Sequence, residues 1–586
     1  MKFLRNLLAT LVGLFIFTFL GFVMLIGIVS ALSTKEKVEI SERSVLHLKI
    51  DRAIVERKSD DPLEALSEVL GDGQGSIGLK ELKEAIASAK TDDKVEGILL
   101  EPQYVTSGYA KLEEIRESLL DFKASGKFIL AYSENYSEGD YFLASVADEI
   151  YLNPLGMLEF DGLSSQAVFV KGTLEKLGIE AQIFKVGDFK SAVEPFDRKE
   201  MSEESRLQTS AFLNAIYDHY LDKIADARGL EADRLKEISN ELMVTNASEA
   251  INHKLVSALR YRDEVEAEIR ERLDIEEDKK IDFVSHSKYL KTLTPASSSS
   301  RNRIAVIYAD GDIVTGEGSE TSIGSDKYAR EIMKARMDDK VKAIVIRINS
   351  PGGSALASDV IWREVKLAQR EKPVIASMSD VAASGGYYIA MACDTIVALP
   401  TTITGSIGVF GIVPNISPFL EDKLGVTTDV VNTGKYSDMN TVTRPLSNFE
   451  KAVFQKSVDE IYETFTQKAA EGRGMSLDDL KAVASGRVWS GVEAKQRGLV
   501  DVFGTLDDAV AIAAQAAGLD EEDYKVNYYP RKKDMIQQLL SGLEENVRVK
   551  LLKQELGQAY PYMQKLKGIK EMTGIQARMP YELVID

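Results

Sequence analysis

The feature that most constrains this sequence is an internal repeat. The motif DDKV at residues 92–95 recurs at residues 338–341, an offset of 246 residues, and the same offset still pairs Gly162 with Gly408. Each copy alternates helix-like segments with short β-rich runs in the same order. Agreement over so long a stretch predicts two tandem domains of one fold, and the alternation of short strands and helices predicts the α/β class.

The length of the chain is consistent with this division, since 586 residues are too many for a single core. A polar, serine-rich stretch between the copies is typical of a linker. The tail contains amphipathic helical stretches, notably at residues 534–556, and a possible edge strand at residues 579–585, both expected to serve packing or oligomer contacts. The predicted order is an N-terminal domain (40–293), a linker (294–303), a C-terminal domain (304–530) and a helical tail with a terminal strand (531–586).

The N-terminus carries a long apolar segment. Residues 7–32 contain no charged side chain, and at ~1.5 Å per residue they can cross a hydrocarbon core of ~30 Å. Lys2 and Arg5 precede the segment and favour a cytoplasmic N-terminus. A cleavable signal peptide is the alternative, with an acceptable cleavage site at residues 29–31, but the segment exceeds the ~7–15 apolar residues usual in such peptides. We therefore predict one transmembrane anchor, with residues 1–6 in the cytoplasm and the rest of the chain outside it.

Composition excludes some classes of function. A net charge of −20 argues against a nucleic-acid partner, because phosphate binding requires basic surface. Cys393 is the single cysteine, so the chain has neither an internal disulfide nor a cysteine metal cluster. It lies in an apolar helical pattern, and we expect a buried side chain there.

Two glycine-containing motifs follow β-rich runs in the second copy. They are NSPGGS at residues 349–354 and SDVAASGGYY at residues 379–388. A strand that stops at Gly-Gly leaves N–H groups without ladder partners, and glycine lets them approach a ligand closely. Ser384 is predicted at or near a helix N-terminus, where free N–H groups favour negative charge. Together the motifs offer a hydroxyl and oxyanion donors, which is half of an acyl-transfer site.

The two copies differ at these chemical positions. Glu138 stands in the first copy where Ser384 stands in the second, and Thr106 and Ser107 replace the Gly-Gly pair. Conversely, Lys190 of the first copy aligns with a serine in the second. Complementary losses of this kind predict one composite site assembled from both halves.

A serine hydroxyl needs a base within hydrogen-bond reach. A Ser-His-Asp triad across the domains is one alternative, although no histidine lies in the C-terminal copy. A lysine can replace histidine if desolvation lowers its pKa towards neutrality. Lys190 lies between Phe189 and an apolar AVEPF run; the alternative is that it is an ordinary solvated lysine. The four histidines are His47, His219, His253 and His286.

Four segments together resemble the signal peptide peptidase A (protease IV) family in its long, two-domain bacterial form. They are KSAVEPF at 190–196, NSPGGS, ASGGY at 383–387 and TGSIG at 404–408. The resemblance covers nearly the whole chain, including the anchor and the repeat, whereas NSPGG alone would also fit the wider ClpP/crotonase superfamily. It implies tandem ClpP/crotonase-like domains and a Ser-Lys dyad protease.

The resemblance also implies residue roles. Ser384 would be the nucleophile and Lys190 the general base, while the N–H of Gly385 and one from Gly352 or Gly353 would form the oxyanion hole. Ser406 resembles a family serine that helps orient the lysine amine, with a simple turn serine as the alternative. The resemblance calls for no metal and no cofactor.

Substrate, location and assembly follow from the same resemblance. It implies a membrane-anchored endopeptidase that degrades cleaved signal peptides and other short apolar peptides, assembled as a homotetramer. The implied location is the bacterial inner membrane, with the catalytic domains on the periplasmic side. Two alternatives remain from the residues: a crotonase-like acyl-thioester enzyme, which would not need Lys190, and a non-catalytic membrane scaffold of the same fold.

Overall fold

The structure is a computed structural model of the chain. It describes residues 2–32, 39–58, 75–293, 300–319, 321–520, 523–531 and 574–579. The described strands form three larger sheets and one two-stranded pair. The predicted α/β class is confirmed.

The N-terminal segment forms a helix, α1 (Lys2–Leu32), 31 residues long. Its described side chains, up to residue 21, are exposed. Within the residues that the structure describes, no helix has the length and apolarity that crossing a membrane requires.

The first half is built on a parallel six-stranded sheet in the order β8-β6-β5-β4-β1-β9. The strands of the first half, including three outside this sheet, are β1 (Ser44–Ile50), β2 (Ile54–Val55), β3 (Ile77–Gly78), β4 (Val95–Pro102), β5 (Phe128–Tyr136), β6 (Glu149–Leu158), β7 (Glu180–Val186), β8 (Ala258–Leu259) and β9 (Phe283–Ser285). Its helices are α2 (Leu79–Thr91), α3 (Tyr109–Lys123), α4 (Glu138–Ala144), α5 (Lys171–Leu177), α6 (Glu194–Asp197), α7 (Glu203–Arg228), α8 (Ala232–Asn240), α9 (Ala247–Asn252), α10 (Arg262–Leu273) and α11 (His286–Leu290).

The second half is built on an eight-stranded sheet. Six of its strands lie in the order β19-β17-β15-β13-β10-β21, while β16 pairs with β15 and β20 pairs with β16. Its strands are β10 (Asn302–Asp310), β11 (Asp312–Val314), β12 (Ser322–Gly324), β13 (Val341–Ser350), β14 (Gly352–Ser354), β15 (Val374–Ala383), β16 (Thr395–Ala398), β17 (Ile403–Gly405), β18 (Val409–Asn415), β19 (Val488–Ser490), β20 (Val502–Phe503), β21 (Tyr524–Tyr529) and β22 (Gly574–Arg578). Its helices are α12 (Ser325–Met337), α13 (Ala355–Gln369), α14 (Gly385–Ala390), α15 (Asn448–Arg473), α16 (Leu477–Val483), α17 (Gly491–Gln496) and α18 (Leu506–Ala516).

The sequence repeat corresponds to repeated structure. Helices α2 and α12 begin at Leu79 and Ser325, and helices α3 and α13 begin at Tyr109 and Ala355. Each pair is separated by the predicted 246 residues, counted from the first residue of each helix. Both halves bury apolar residues between their sheet and these helices, as the alternating pattern requires.

A third sheet joins the two halves. Its order is β12-β11-β14-β22-β18-β7, so β7 of the first half is hydrogen-bonded to β18 of the second. The β7–β18 pairing is antiparallel and runs from Val186 opposite Val409 to Glu180 opposite Asn415. This sheet brings the chain that follows β7 to the second half.

Three sequence predictions fall wholly or partly outside the described residues. Of the predicted linker, residues 294–299 lie outside the described residues, and Asn302 and Arg303 already belong to β10. The predicted helix at 534–556 also lies outside the described residues. Of the predicted edge strand at 579–585, residues 580–585 lie outside the described residues. A strand that the sequence did not predict, β22, precedes it and is paired on both sides, with β14 and β18.

A buried ionic network also crosses between the halves. Arg347 on β13 has a fully buried side chain, and its guanidinium lies 2.9 Å from Glu56 and 2.6 Å from Glu114. The Glu114 contact is an ion pair without hydrogen-bond geometry. Lys83 lies 2.6 Å from the other oxygen of Glu114. Burial alone would raise the pKa of Glu114, but Arg347 and Lys83 outweigh it and lower that pKa to about 2.

Candidate active site

Lys190 and Ser384 meet in the interior of the molecule. The Lys190 Nζ atom donates a hydrogen bond to Ser384 Oγ at 2.8 Å, and both residues are 0% exposed. One residue comes from each half of the same chain. The structure therefore brings together the two residues that the complementary losses had singled out.

Ser384 lies in a tight turn between β15 and α14. Its backbone has φ +54° and ψ −109°, a region that side-chain-bearing residues rarely adopt. The Ser384 N–H donates to the Gly405 carbonyl at 2.8 Å, and its hydroxyl donates to the Gly408 carbonyl at 3.4 Å. Ser384 caps the start of α14, which confirms its predicted place at a helix N-terminus.

The backbone around Lys190 is held by hydrogen bonds from Gln208, a residue that the sequence analysis did not single out. Gln208 on α7 donates to the Phe189 carbonyl at 3.1 Å and to Ser191 Oγ at 2.8 Å. Its side-chain oxygen accepts from the Val488 N–H of the second half at 3.0 Å. Gln208 thus fixes the residues on both sides of Lys190 against β19. The only sequence feature that could have indicated this role is the presence of a polar residue on the apolar face of helix α7.

The surroundings of the Lys190 amine favour its neutral form. It donates to Ser384 Oγ, to Ser406 Oγ at 3.0 Å and to the Ser406 carbonyl at 3.2 Å, and none of these acceptors is a carboxylate. Burial lowers the pKa of Lys190 well below its ordinary value of 10.5. The packing is close, because a methyl group on Gly486 would stand 2.7 Å from Cβ of Lys190.

Ser406 is the third member of this cluster. It has φ +48°, and its N–H donates to the Arg487 carbonyl at 2.7 Å. Its hydroxyl accepts from Lys190 and donates to the Gly486 carbonyl at 3.3 Å. Because this hydroxyl already donates to a carbonyl, its oxygen can accept from the lysine amine and orient it.

The predicted glycines lie beside Ser384. Gly385 is the first residue of α14, so its N–H has no acceptor within the helix. A methyl group on Gly352 would lie 2.7 Å from the Gly385 nitrogen. The expectation that the Gly-Gly segment lacks ladder partners is wrong, because β14 pairs with β22, with Gly352 opposite Arg578 and Gly353 opposite Ala577. The Gly352 N–H also donates to Ser350 Oγ at 3.2 Å.

The histidines lie elsewhere. In the described part of the chain, the hydrogen-bond partners of the Ser384 hydroxyl are Lys190 Nζ and the Gly408 carbonyl. His47 pairs with Glu101, and His219 lies 2.8 Å from Glu113. The alternative of a Ser-His-Asp triad is therefore wrong.

Comparison with known families decides the class of protein. Residues 121–276 and 366–520 match the family model described as peptidase family S49. The chain belongs to peptidase family S49. It is thus a serine protease, and the two matched segments fall in its two halves. Residues 296–404 also match a Clp protease model, in accord with a ClpP-like α/β fold.

Curated relatives agree with the S49 assignment over most of the chain. "Serine protease SPPA, chloroplastic" from Arabidopsis thaliana is 38% identical over 86% of this chain and 74% of its own length. "Protease 4" from Haemophilus influenzae is 33% identical over 97% of this chain and 95% of its own length. "Protease 4" from Salmonella typhi is 35% identical over 90% and 86%, respectively.

The first S49 copy also begins a helix at this position but has neither the strained turn nor the chemistry of the second. Glu138, at the position equivalent to Ser384, accepts hydrogen bonds from the Asp161 and Gly162 N–H groups at 3.0 and 2.8 Å. Burial raises the pKa of Glu138 to about 7. A carboxyl group that is already bonded to the adjacent loop stabilises that loop and offers no nucleophile.

Proposed function

We propose that this S49 protease works with a Ser-Lys dyad, in which Ser384 is the nucleophile and Lys190 the general base. The observation that carries the proposal is the 2.8 Å contact between the Ser384 hydroxyl and a fully buried amine. An amine with a pKa lowered by burial can be neutral near physiological pH and can accept a proton. Ser406 orients that amine.

The reaction then has two stages. Neutral Lys190 takes the proton of Ser384 as the oxygen attacks a peptide carbonyl carbon, and the resulting ammonium protonates the leaving amine. Water hydrolyses the ester on Ser384 in the second stage, again with Lys190 as base. The N–H of Gly385 and one from Gly352 or Gly353 stabilise the oxyanion, with about 3 kcal/mol for each donor. The closeness of Gly352 to the Gly385 nitrogen supports this assignment.

The substrates that we propose are short apolar peptides, including the remnants of cleaved signal peptides. The sequence motifs that resemble signal peptide peptidase A support this class. The buried position of the dyad supports it too, because an extended peptide can reach a buried hydroxyl more easily than a folded protein can.

The uncharged sequence of residues 7–32 supports a single-pass anchor in the bacterial inner membrane, with the catalytic halves on the periplasmic side. Assembly as a homotetramer is part of the same proposal. The full chain is expected to stay with the membranes after alkaline carbonate extraction, and a variant that starts at residue 39 is expected in the soluble fraction. Equal distribution of the two proteins would contradict the anchor.

The dyad predicts a pH dependence of kcat/KM. Only the neutral amine is a base, so activity is low where Lys190 is protonated and rises as pH increases through its pKa. Because burial lowers that pKa, the rise lies below pH 10.5. Hydrolysis of a fluorogenic peptide should therefore increase with pH over a range that lies well below pH 10.5. Circular dichroism at each pH controls for unfolding, and a flat or falling profile in the folded protein would contradict a lysine base.

A further inference from the structure

Asp380 of the second half takes the place of a missing side chain on the first half. It lies on β15, and its Oδ1 atom accepts a hydrogen bond from the Lys111 N–H of α3 at 3.0 Å. Gly108 is the N-cap residue of α3 and has no side chain to make this bond. A methyl group built on Gly108 would stand 2.3 Å from Cγ of Asp380, so the carboxylate occupies the position of an N-cap side chain.

Comparison of the two copies shows that this arrangement is found in one of them. In the second half, Ser354 stands at the position equivalent to Gly108, and its own hydroxyl accepts from the Ala357 N–H of α13 at 3.3 Å. Glu134 is the first-half residue equivalent to Asp380, and it is exposed. The first half therefore lacks its internal cap, and a residue of the second half supplies the hydrogen bond.

An ion pair adds to the same contact. Lys111 Nζ lies 2.8 Å from Oδ2 of Asp380, and the two side chains are only 9% and 14% exposed. The carboxylate of Asp380 is thus bound through both of its oxygen atoms to the first turn of α3.

Asp380 lies in an irregular part of β15. Ile348 of β13 pairs with Met378 of β15. The next pair is Ser350 with Ala382, so three residues of β15, with Asp380 in the middle, stand where β13 has one. This is a β-bulge, in which the regular ladder of hydrogen bonds is interrupted. The position of the strand beyond the bulge therefore depends on other contacts.

The strand beyond the bulge carries Ser384. There β15 pairs with β17 as far as Ala383, and the Ser384 N–H donates to the Gly405 carbonyl. Ala383 also packs in the apolar core of the first half. Lys190 belongs to that same half and follows β7, which pairs with β18. The distance between the serine and the lysine therefore depends on how the end of β15 is held against the first half.

We propose that Asp380 is a positioning residue for the dyad, which holds the strand that carries Ser384 against the half that carries Lys190. This inference rests on the proposed Ser-Lys function and adds to it a contact that fixes the distance between the two reacting groups. Asp380 itself takes no part in proton transfer. A displacement of about 1 Å can lower a rate by about 10²-fold, so loss of this contact is expected to slow the chemical step.

Steady-state kinetics of peptide hydrolysis test the proposal. Asp380→Ala is expected to lower kcat by about 10²-fold while KM stays within about twofold, because a misplaced base affects the chemical step. Asp380→Asn should retain most of the wild-type kcat, since its amide oxygen can still accept from the Lys111 N–H. Glu134→Ala, the matched control at the equivalent exposed position, should leave kcat and KM unchanged.

A repaired variant separates positioning from stability. Gly108→Ser/Lys111→Met/Asp380→Ala gives α3 a cap within its own half and removes the unpaired ammonium, but the contact between the halves stays broken. Its midpoint of urea unfolding should return towards that of the wild type, whereas its kcat should stay about 10²-fold low. This variant also keeps the test valid if Asp380→Ala does not fold. Recovery of kcat together with stability would overturn the positioning role, because Asp380 would then serve the fold alone.

The same measurements distinguish this inference from the function on which it rests. Wild-type kcat in a folded Asp380→Ala variant would overturn the positioning role alone, because the Ser-Lys dyad would still account for hydrolysis. A folded wild-type enzyme that hydrolyses no peptide, or wild-type kcat in Lys190→Ala, would overturn the proposed function.

Discussion

Replacing Lys190 by alanine is expected to lower kcat/KM for peptide hydrolysis by about four to six orders of magnitude. The Ser384 hydroxyl loses its hydrogen-bonded base at 2.8 Å, and the described structure offers it only the Gly408 carbonyl as a further partner. Removing a buried amine leaves no unpaired charge, so the fold should survive. Hydrolysis of a fluorogenic peptide by the purified variant is the measurement, with circular dichroism as the check of folding.

Three further variants define the cause of that loss. Lys190→Arg should be as inactive as the alanine variant, because a guanidinium stays protonated and cannot act as base. Lys185→Ala removes an exposed lysine from the preceding strand and should leave activity unchanged. Ser406→Ala should lower kcat by about tenfold, the cost of one orienting hydrogen bond. Activity of Lys190→Ala near that of Lys185→Ala would contradict the dyad.

The Arg347→Ala variant is expected to lower the free energy of unfolding by about 3–5 kcal/mol. The guanidinium lies within 3 Å of both Glu56 and Glu114. Its removal leaves the buried carboxylate of Glu56 without its ion-pair partner and that of Glu114 with Lys83 alone, at the surface where the two halves meet. Urea unfolding followed by tryptophan fluorescence is a suitable measurement, since both tryptophans, Trp362 and Trp489, lie in the second half.

Arg330 supplies the matched control for this prediction. Its side chain is 43% exposed and pairs with Glu317 at 2.7 Å on the surface. Exposed pairs contribute at most about 1 kcal/mol, so Arg330→Ala should change stability little. If Arg347→Ala were no less stable than Arg330→Ala, the buried network would not hold the two halves together.

Much of the candidate active site could be predicted because the repeat supplied an internal comparison. Ser384 aligns with Glu138 and Lys190 aligns with Ser437, so each copy lacks the functional group that the other copy has. Each position was informative only through this comparison. The periodicity likewise gave the α/β class, since buried parallel strands and amphipathic helices alternate along both halves.

Other parts of the site depend on contacts that a linear pattern does not encode. The pairing partner of a strand is set by tertiary packing, and neither β22 nor its position between β14 and β18 was predicted from the sequence. Gln208 and Arg347 are polar residues in apolar elements, and their partners lie in the other half of the chain. The role of each residue can be recognised only from a structure in which the two halves are in contact.

The reaction of the chain with a fluorophosphonate, followed by peptide mapping, tests the central claim most directly. The account predicts a single adduct on Ser384, formed at a rate that rises with pH in the wild type and lost in Lys190→Ala. An adduct on a different residue, or labelling of Ser384 at an unchanged rate without Lys190, would contradict it.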